Sequence, residues 1–116
     1  MEFSAEMIKG SVLPIVLKLL SEREMYGYEI IKTVNERTEN AFQWKEGTLY
    51  PWLHRLEADG LITSEWSSAN GRRRKYYQLS SRGARVMASQ LDEWKSFSAT
   101  VNALLFGPVS PEPPPA

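Results

Sequence analysis

Residues 47–60 read GTLYPWLHRLEADG, and the spacing of their apolar side chains decides the fold around them. On a helical wheel Leu49, Trp52, Leu53 and Leu56 share one side, at the i, i+3, i+4, i+7 spacing of a helix docked on a core. The opposite side carries Gly47, Thr48, Pro51, His54, Arg55 and Ala58, with Tyr50 on its flank. Solvent faces are ordinarily dense in Lys and Glu. This one is slim, neutral or basic at its N-terminal end, and keeps Glu57 and Asp59 for the last turn. Such a face is shaped for close approach to another surface.

The flanking segments supply the context. Pro51 is tolerable within or near the first helical turn, where N–H groups lack intrahelical partners, and Gly60 is a helix stop. Upstream, the polar SEREM (21–25) and the loop TENAF bracket a second helix from about Tyr26 to Arg37, with Ile30, Ile31 and Val34 inward. Before that, a helix over roughly 5–21 is apolar nearly all round from Val12 to Leu20, as in a central core helix, with Pro14 as a kink or an early turn. Downstream, LITSEWSS (61–68) and KYYQLS (75–80) alternate with period two around a turn at Ala69-Asn70-Gly71, a strong hairpin signal. Ser80-Ser81 then cap a last helix running to about Phe106. The expected fold is mainly α with a small β-hairpin. It comprises a winged helix-turn-helix domain over 1–80, a dimerisation helix over 81–106, and a disordered or polyproline-like tail over 107–116, GPVSPEPPPA.

The formal net charge is zero, but its distribution is uneven. Residues 1–65 carry 7 basic and 11 acidic side chains, whereas 66–91 carry Arg72, Arg73, Arg74, Lys75, Arg82 and Arg85 and no acid. A field is set by where charge sits, so a neutral chain can bind a polyanion locally. The absence of cysteine excludes disulfides and thiolate metal sites, and a single histidine, His54, supports neither a metal cluster nor a catalytic triad. Nothing resembles a phosphate-binding glycine loop or paired catalytic carboxylates, so no enzyme and no cofactor is expected. The apolar run at 12–20 is too short to span a bilayer, and MEFSAEMIKG lacks the basic start of a signal peptide. A cytoplasmic protein is expected.

A partner with a deep, narrow approach fits the slim face: the major groove of duplex DNA is about 12 Å wide. Gly47, Pro51 and Ala58 remove bulk, and Thr48 and Tyr50 offer hydroxyls. His54 and Arg55 reach further, and Lys45 adds charge beside the positive end of the helix. Thr48 also reads as a plain N-cap, Tyr50 as a packed ring and His54 as a solvated side chain. Gly71, Arg72, Arg73, Arg74 and Lys75 form a cationic hairpin tip suited to phosphate or the minor groove. In the last helix Met87, Leu91, Trp94, Ser98, Val101 and Leu105 follow one another by alternating steps of four and three, an a/d seam that implies a homodimer. Trp94 is oversized and Ser98 undersized for such a seam. Two readings stay open: a dimer contact that uses Trp, or a gap where an aromatic or cationic effector stacks between two indoles.

Together YGYEI (26–30), EGTLYPWLHRLEADGLI (46–62) and GRRRKYYQLSSRG (71–83) resemble the PadR family of transcriptional regulators, in its short, multidrug-sensing form with a single long C-terminal helix. The resemblance spans about residues 8–106. It implies a winged-helix homodimer that represses transcription at a near-palindromic operator. It also implies operator contacts by Tyr26, Thr48, Tyr50 and Arg55, and a wing from Gly71 to Lys75. In multidrug-sensing members a last-helix tryptophan pairs across the dimer to sandwich ligands; LDEW places Trp94 there, with Leu91, Ser98 and Leu13 as further lining, while Pro14 and Lys18 depart from the pattern. The rival reading is a winged-helix module that binds an acidic protein instead of DNA.

Overall fold

The computed structural model describes residues 3–109 and 115. Its elements, in order, are α1 (Ala5–Glu22), β1 (Met25–Tyr26), α2 (Gly27–Arg37), α3 (Glu46–Ala58), β2 (Ile62–Ser67), β3 (Arg74–Leu79) and α4 (Ser81–Phe106). Most of the proline-rich stretch, 110–114 and 116, lies outside the described residues. The expected helix–helix–helix–hairpin–helix order is present, with one correction. The sheet has three antiparallel strands in the order β1-β3-β2, because Met25 pairs with Tyr77 and Tyr26 with Tyr76. Two residues are too few for alternation to show in sequence, and Met25 within the polar SEREM is fully buried.

α1 is the centre of the core. Val12, Val16 and Leu17 are completely buried, and Leu19 and Leu20 nearly so, against Ile30 and Val34 of α2 and Leu49, Leu53 and Leu56 of α3. The helix continues through Pro14, its tenth residue, so Pro14 does not mark an early turn; the ring is itself buried. Pro51 likewise lies deeper than the first turn, as the sixth residue of α3.

The turn between α2 and α3 is closed by side chain to backbone bonds. Glu39 and Asn40 take left-handed backbone angles, φ 51° and 62°. The Asn35 amide then grips the backbone of Trp44 twice, Oδ1 accepting from its N–H at 2.8 Å and Nδ2 donating to its carbonyl at 3.1 Å. Trp44 is buried immediately before α3, and its indole N–H has no acceptor among the described residues. At the far side, Arg37 donates to both carboxylate oxygens of Glu22, at 2.9 and 2.7 Å, tying the ends of α1 and α2 together. That bond holds the Glu22 carboxyl below its ordinary pKa.

α3 ends in a Schellman turn: Leu61 N–H bonds to Leu56 O at 2.9 Å and Gly60 N–H to Glu57 O at 3.1 Å, with Gly60 at φ 75°. The start of α4 docks on this turn. Ser80 Oγ accepts from Gly83 N–H at 2.9 Å and donates to Gly60 O at 2.7 Å, while Ser80 N–H reaches Leu61 O at 3.0 Å. A Cβ at Gly83 would overlap the Leu61 carbonyl, so only glycine allows the contact. Beyond Gly83 no residue of α4 is fully buried, and the helix leaves the head as an arm. The radius of gyration is 17.9 Å, against about 13 Å for a compact domain of this length.

Replacing Asn35 by Ala removes both bonds to Trp44 and leaves a half-buried N–H and C=O without partners. The expected loss is about 1–3 kcal/mol, read as a lower urea midpoint with an unchanged slope, and Asn35→Asp, which keeps only the acceptor, falls between.

A candidate nucleic-acid interface on the third helix and the wing

The exposed side of α3 divides by helical position. Tyr50, His54 and Glu57 lie toward the β-hairpin; Thr48, Trp52 and Arg55 lie toward α1; Gly47, Pro51 and Ala58 form the bare strip between. Each flank borders a cleft. The cleft on the hairpin side, about 350 Å³, brings together Tyr26, Tyr50, His54, Arg73, Arg74 and Lys75 from the expected site, together with Gly27, Tyr28, Trp66 and Tyr77. The cleft on the α1 side, about 370 Å³, holds Thr48, Pro51 and Arg55 with Gly47, Trp52 and Lys9. Lys45, Gly71 and Arg72 border neither; all three are exposed at the edges of the surface.

Thr48 does not cap the helix. The N-cap residue is Lys45, whose carbonyl accepts from the Thr48 N–H at 2.9 Å, and the threonine hydroxyl makes no hydrogen bond among the described residues. Tyr50 is both packed and available. Its ring lies on Gly27, where a Cβ would overlap the hydroxyl and sit 2.8 Å from Cζ. Burial first, and the Glu46 charge second, push the Tyr50 phenol pKa upward. Burial does the same for Tyr77, with Glu57 adding to it. Both rings are therefore held in the protonated form to higher pH than a free phenol.

The five residues expected at the hairpin tip separate into two groups. The tip proper is the loop from Ser68 to Arg73, turned by Asn70 (φ 57°) and Gly71 (φ 73°), with Arg72 N–H bonded to Ala69 O at 3.3 Å. Arg72 and Arg73 are exposed there, whereas Arg74 and Lys75 belong to β3 and are half-buried. Three arginines lie on aromatic rings: Arg73 4.8 Å from the Trp66 centroid, Arg74 4.4 Å from Tyr26, and Arg55 4.6 Å from Trp52. Tyr26 is held in turn edge-on to Tyr76 at 5.5 Å. A guanidinium stacked this way keeps its N–H edge directed outward while losing rotamer freedom in advance of binding. Lys75 differs, since its Nζ is 3.6 Å from Glu57 Oε1. The sequence shows no acid within five residues of the arginine run, and the structure brings one from α3.

Sequence reasoning passed over Gly27 and Trp66. Gly27 leaves no pattern; its role appears only when Tyr50 lands on it. Trp66 shares a strand face with Ile62 and Ser64, as alternation indicates, but the core ends beneath it and the indole overhangs the cleft, 58% exposed.

Along α4, Met87, Ser98 and Val101 are half-buried while Leu91, Trp94 and Leu105 are exposed, and Phe97, Leu104 and Phe106 widen the bare apolar surface beyond the expected seam. Trp94 stands between two clefts formed with α1. One, about 300 Å³ and almost wholly apolar, is lined by Pro14, Ile15, Lys18, Phe42 and Leu91. The other, about 420 Å³, is lined by Glu6, Met7, Gln90, Glu93 and Phe97. Leu13 and Ser98 line neither. Leu13 packs on the core, and the Ser98 hydroxyl donates back to Lys95 O at 3.2 Å. Among the described residues no group of His, Cys, Asp or Glu is arranged to hold a metal, and no helix is long and apolar enough to cross a membrane.

Residues 16–89 match a family profile described as the transcriptional regulator PadR-like family. A transcriptional regulator of Mycobacterium tuberculosis is 35% identical over 78 residues, covering 67% of this chain and 70% of its own length. Among solved structures, a transcriptional regulator from Clostridium thermocellum superimposes with a TM-score of 0.81 at 34% identity, over 89% of this chain and 98% of that one. A PadR family transcriptional regulator from Eggerthella lenta gives 0.79 at 32% identity, over 89% and 88%.

The Tyr50–Gly27 contact is open to titration. A raised phenol pKa means that the protonated ring is favoured by the fold. The contribution is complete below the ordinary value of 10.0 and is lost as pH rises through the raised one. In an ultraviolet titration, Tyr50→Phe is expected to remove a late-titrating phenol, and Gly27→Ala, which displaces the ring, to return that phenol toward its ordinary range.

Proposed function

This chain belongs to the PadR-like family of transcriptional regulators, whose members generally bind DNA, and on that premise we propose that it represses transcription as a homodimer on a near-palindromic operator. The observation that carries the reading is the low-bulk side of α3 flanked by a cleft that Arg73 and Arg74 line, each guanidinium lying over an aromatic ring. The strip, Gly47, Pro51 and Ala58, admits the backbone to the major groove, with Thr48, His54 and Arg55 toward base edges or phosphates. Tyr26 and Tyr50 offer hydroxyls on the wing side. Gly71, Arg72 and Arg73 carry the wing tip to the adjacent backbone, Arg74 fills the angle between them, and Lys45 with the α3 N-terminus adds a further phosphate contact.

Dimerisation is the natural fate of α4. Leu91, Trp94, Phe97, Leu104, Leu105 and Phe106 expose far more apolar surface than a lone helix keeps in water. A second copy packed along Met87, Leu91, Trp94, Val101 and Leu105 would cover it and set two reading heads about one helical turn of DNA apart. The clefts flanking Trp94 support a small-molecule effector. The one carrying Glu6 and Glu93 beside Trp94 and Phe97 suits a planar aromatic cation, and Leu91 lies in the apolar one opposite. Such a regulator works in the cytoplasm. The rival, a winged-helix module for an acidic protein partner, predicts no preference among duplexes.

A gel shift with the promoter fragment upstream of its own gene decides between them. Specific retardation is expected, falling about 10³–10⁵-fold in affinity between 50 and 200 mM salt if the dimer engages 6–10 phosphates, and lost when Arg72→Ala, Arg73→Ala and Arg74→Ala are combined. Sedimentation is expected to give a dimer that Val101→Glu with Leu105→Glu dissociates. Trp94 fluorescence is expected to be quenched by planar aromatic cations; indifference at millimolar concentration removes the effector from the proposal.

A further inference from the structure

Glu57 occupies the last turn of α3, where the negative end of the helix dipole disfavours an acid. Its partners account for its presence there. Oε2 accepts a hydrogen bond from the Ser64 hydroxyl on β2, and Oε1 faces the Lys75 ammonium on β3 at 3.6 Å. One carboxylate thus bridges the recognition helix to both strands of the wing. Lys75 is two-thirds covered and its Nζ also lies 5.6 Å from the centroid of the buried Tyr77 ring. The ammonium therefore points into the joint between helix and wing, unlike the guanidinium groups of Arg72 and Arg73 on the exposed tip.

Resting on the DNA-binding reading, we propose that Glu57 is a positioning residue: it locks the wing to the recognition helix and withholds Lys75 from phosphate. Only the arginines then supply wing charge to DNA. A cation already neutralised by a carboxylate releases no counterion from DNA and adds nothing to the salt dependence of binding. The pair also fixes the angle at which the arginines meet the duplex, so that tip contact and groove contact are made together or not at all. Specificity gains from that, because a wing free to swing grips any duplex backbone equally well.

The test compares wild type, Lys75→Met, Glu57→Gln and the double variant, with salt slopes measured on a short random-sequence duplex and on a genomic fragment selected by the wild type. Gln is isosteric and keeps the bond from Ser64, so folding is preserved. Lys75→Met is expected to leave the slope unchanged. Glu57→Gln is expected to steepen it by about 0.9 per wing and to narrow the preference for the selected fragment. Adding Lys75→Met to Glu57→Gln is expected to restore the wild-type slope. A Lys75→Met slope already flattened in the wild-type background, or a Glu57→Gln slope equal to wild type, overturns the proposal. Urea midpoints of the same four proteins are expected to shift non-additively; additive shifts overturn the lock whatever happens with DNA. If the wild type retains no duplex, the DNA reading and the withheld charge fall together, while the unfolding cycle still decides the lock.

Discussion

The complete burial of Leu49, Leu53 and Leu56 fixes everything else about the surface, because it commits one side of α3 to the core and so determines which side is bare. A helix cannot bury those three without presenting Gly47, Pro51 and Ala58 outward, since the positions are set by the turn of the helix itself. The core around them comes from α1 and α2 through Val12, Val16, Leu17, Ile30 and Val34. At about 25 cal/mol per Å² of apolar area removed from water, several fully buried aliphatic side chains outweigh any single polar contact in the head. The polar contacts do different work. Asn35 on Trp44, Ser80 on Gly60 and Gly83, and Glu57 on Ser64 and Lys75 each fix an angle between elements that hydrophobic burial leaves loose.

Electrostatically the molecule is a neutral chain that has moved its charge to one edge. Acids in the first two helices are largely used internally, Glu22 on Arg37 and Glu29 on Arg23. These exposed pairs add little stability. Around α3 and the hairpin, three guanidinium groups lie over Trp66, Tyr26 and Trp52. Aromatic residues that look in the sequence like scattered core material serve here as shelves for cations. Prior ordering of the arginines reduces the entropy lost on contact, which is where long side chains ordinarily weaken an interface.

Much of this was legible in the residues because it rests on short-range periodicity. The three leucines of α3, the Asn-Gly turn, the Gly60 stop and the Ser80 cap all follow from local stereochemistry, and the structure places them within a residue or two of expectation. What the sequence hid depends on long-range meeting. β1 exists only because Met25 and Tyr26 find Tyr77 and Tyr76, some fifty residues away. Gly27 matters only because Tyr50 packs on it, and Lys75 looked free because its acid lies on a different element. Leu13 and Ser98 fall outside the clefts beside Trp94 for a related reason: a heptad gives the side of α4, whereas the packing of α1 against it decides which residues line those clefts.

The relation between arm and head follows from the Gly83 contact. With no side chain there, the first turn of α4 sits directly on the Leu61 carbonyl, the residue that also closes the Schellman turn of α3. α3 and the arm therefore meet at one close contact, and α1 forms a second connection between them. That helix touches α3 and the sheet on one side and α4 on the other, and it lines both clefts beside Trp94. Under the proposed reading, an effector seated there has no direct route to DNA. In that reading it acts by changing the spacing of α1 and α4, and a small change of spacing near the Gly83 contact becomes a larger displacement of one head relative to its dimer mate. In the same reading, the longer the arm, the greater that lever, so the projecting apolar helix acts mechanically as well as holding two copies together.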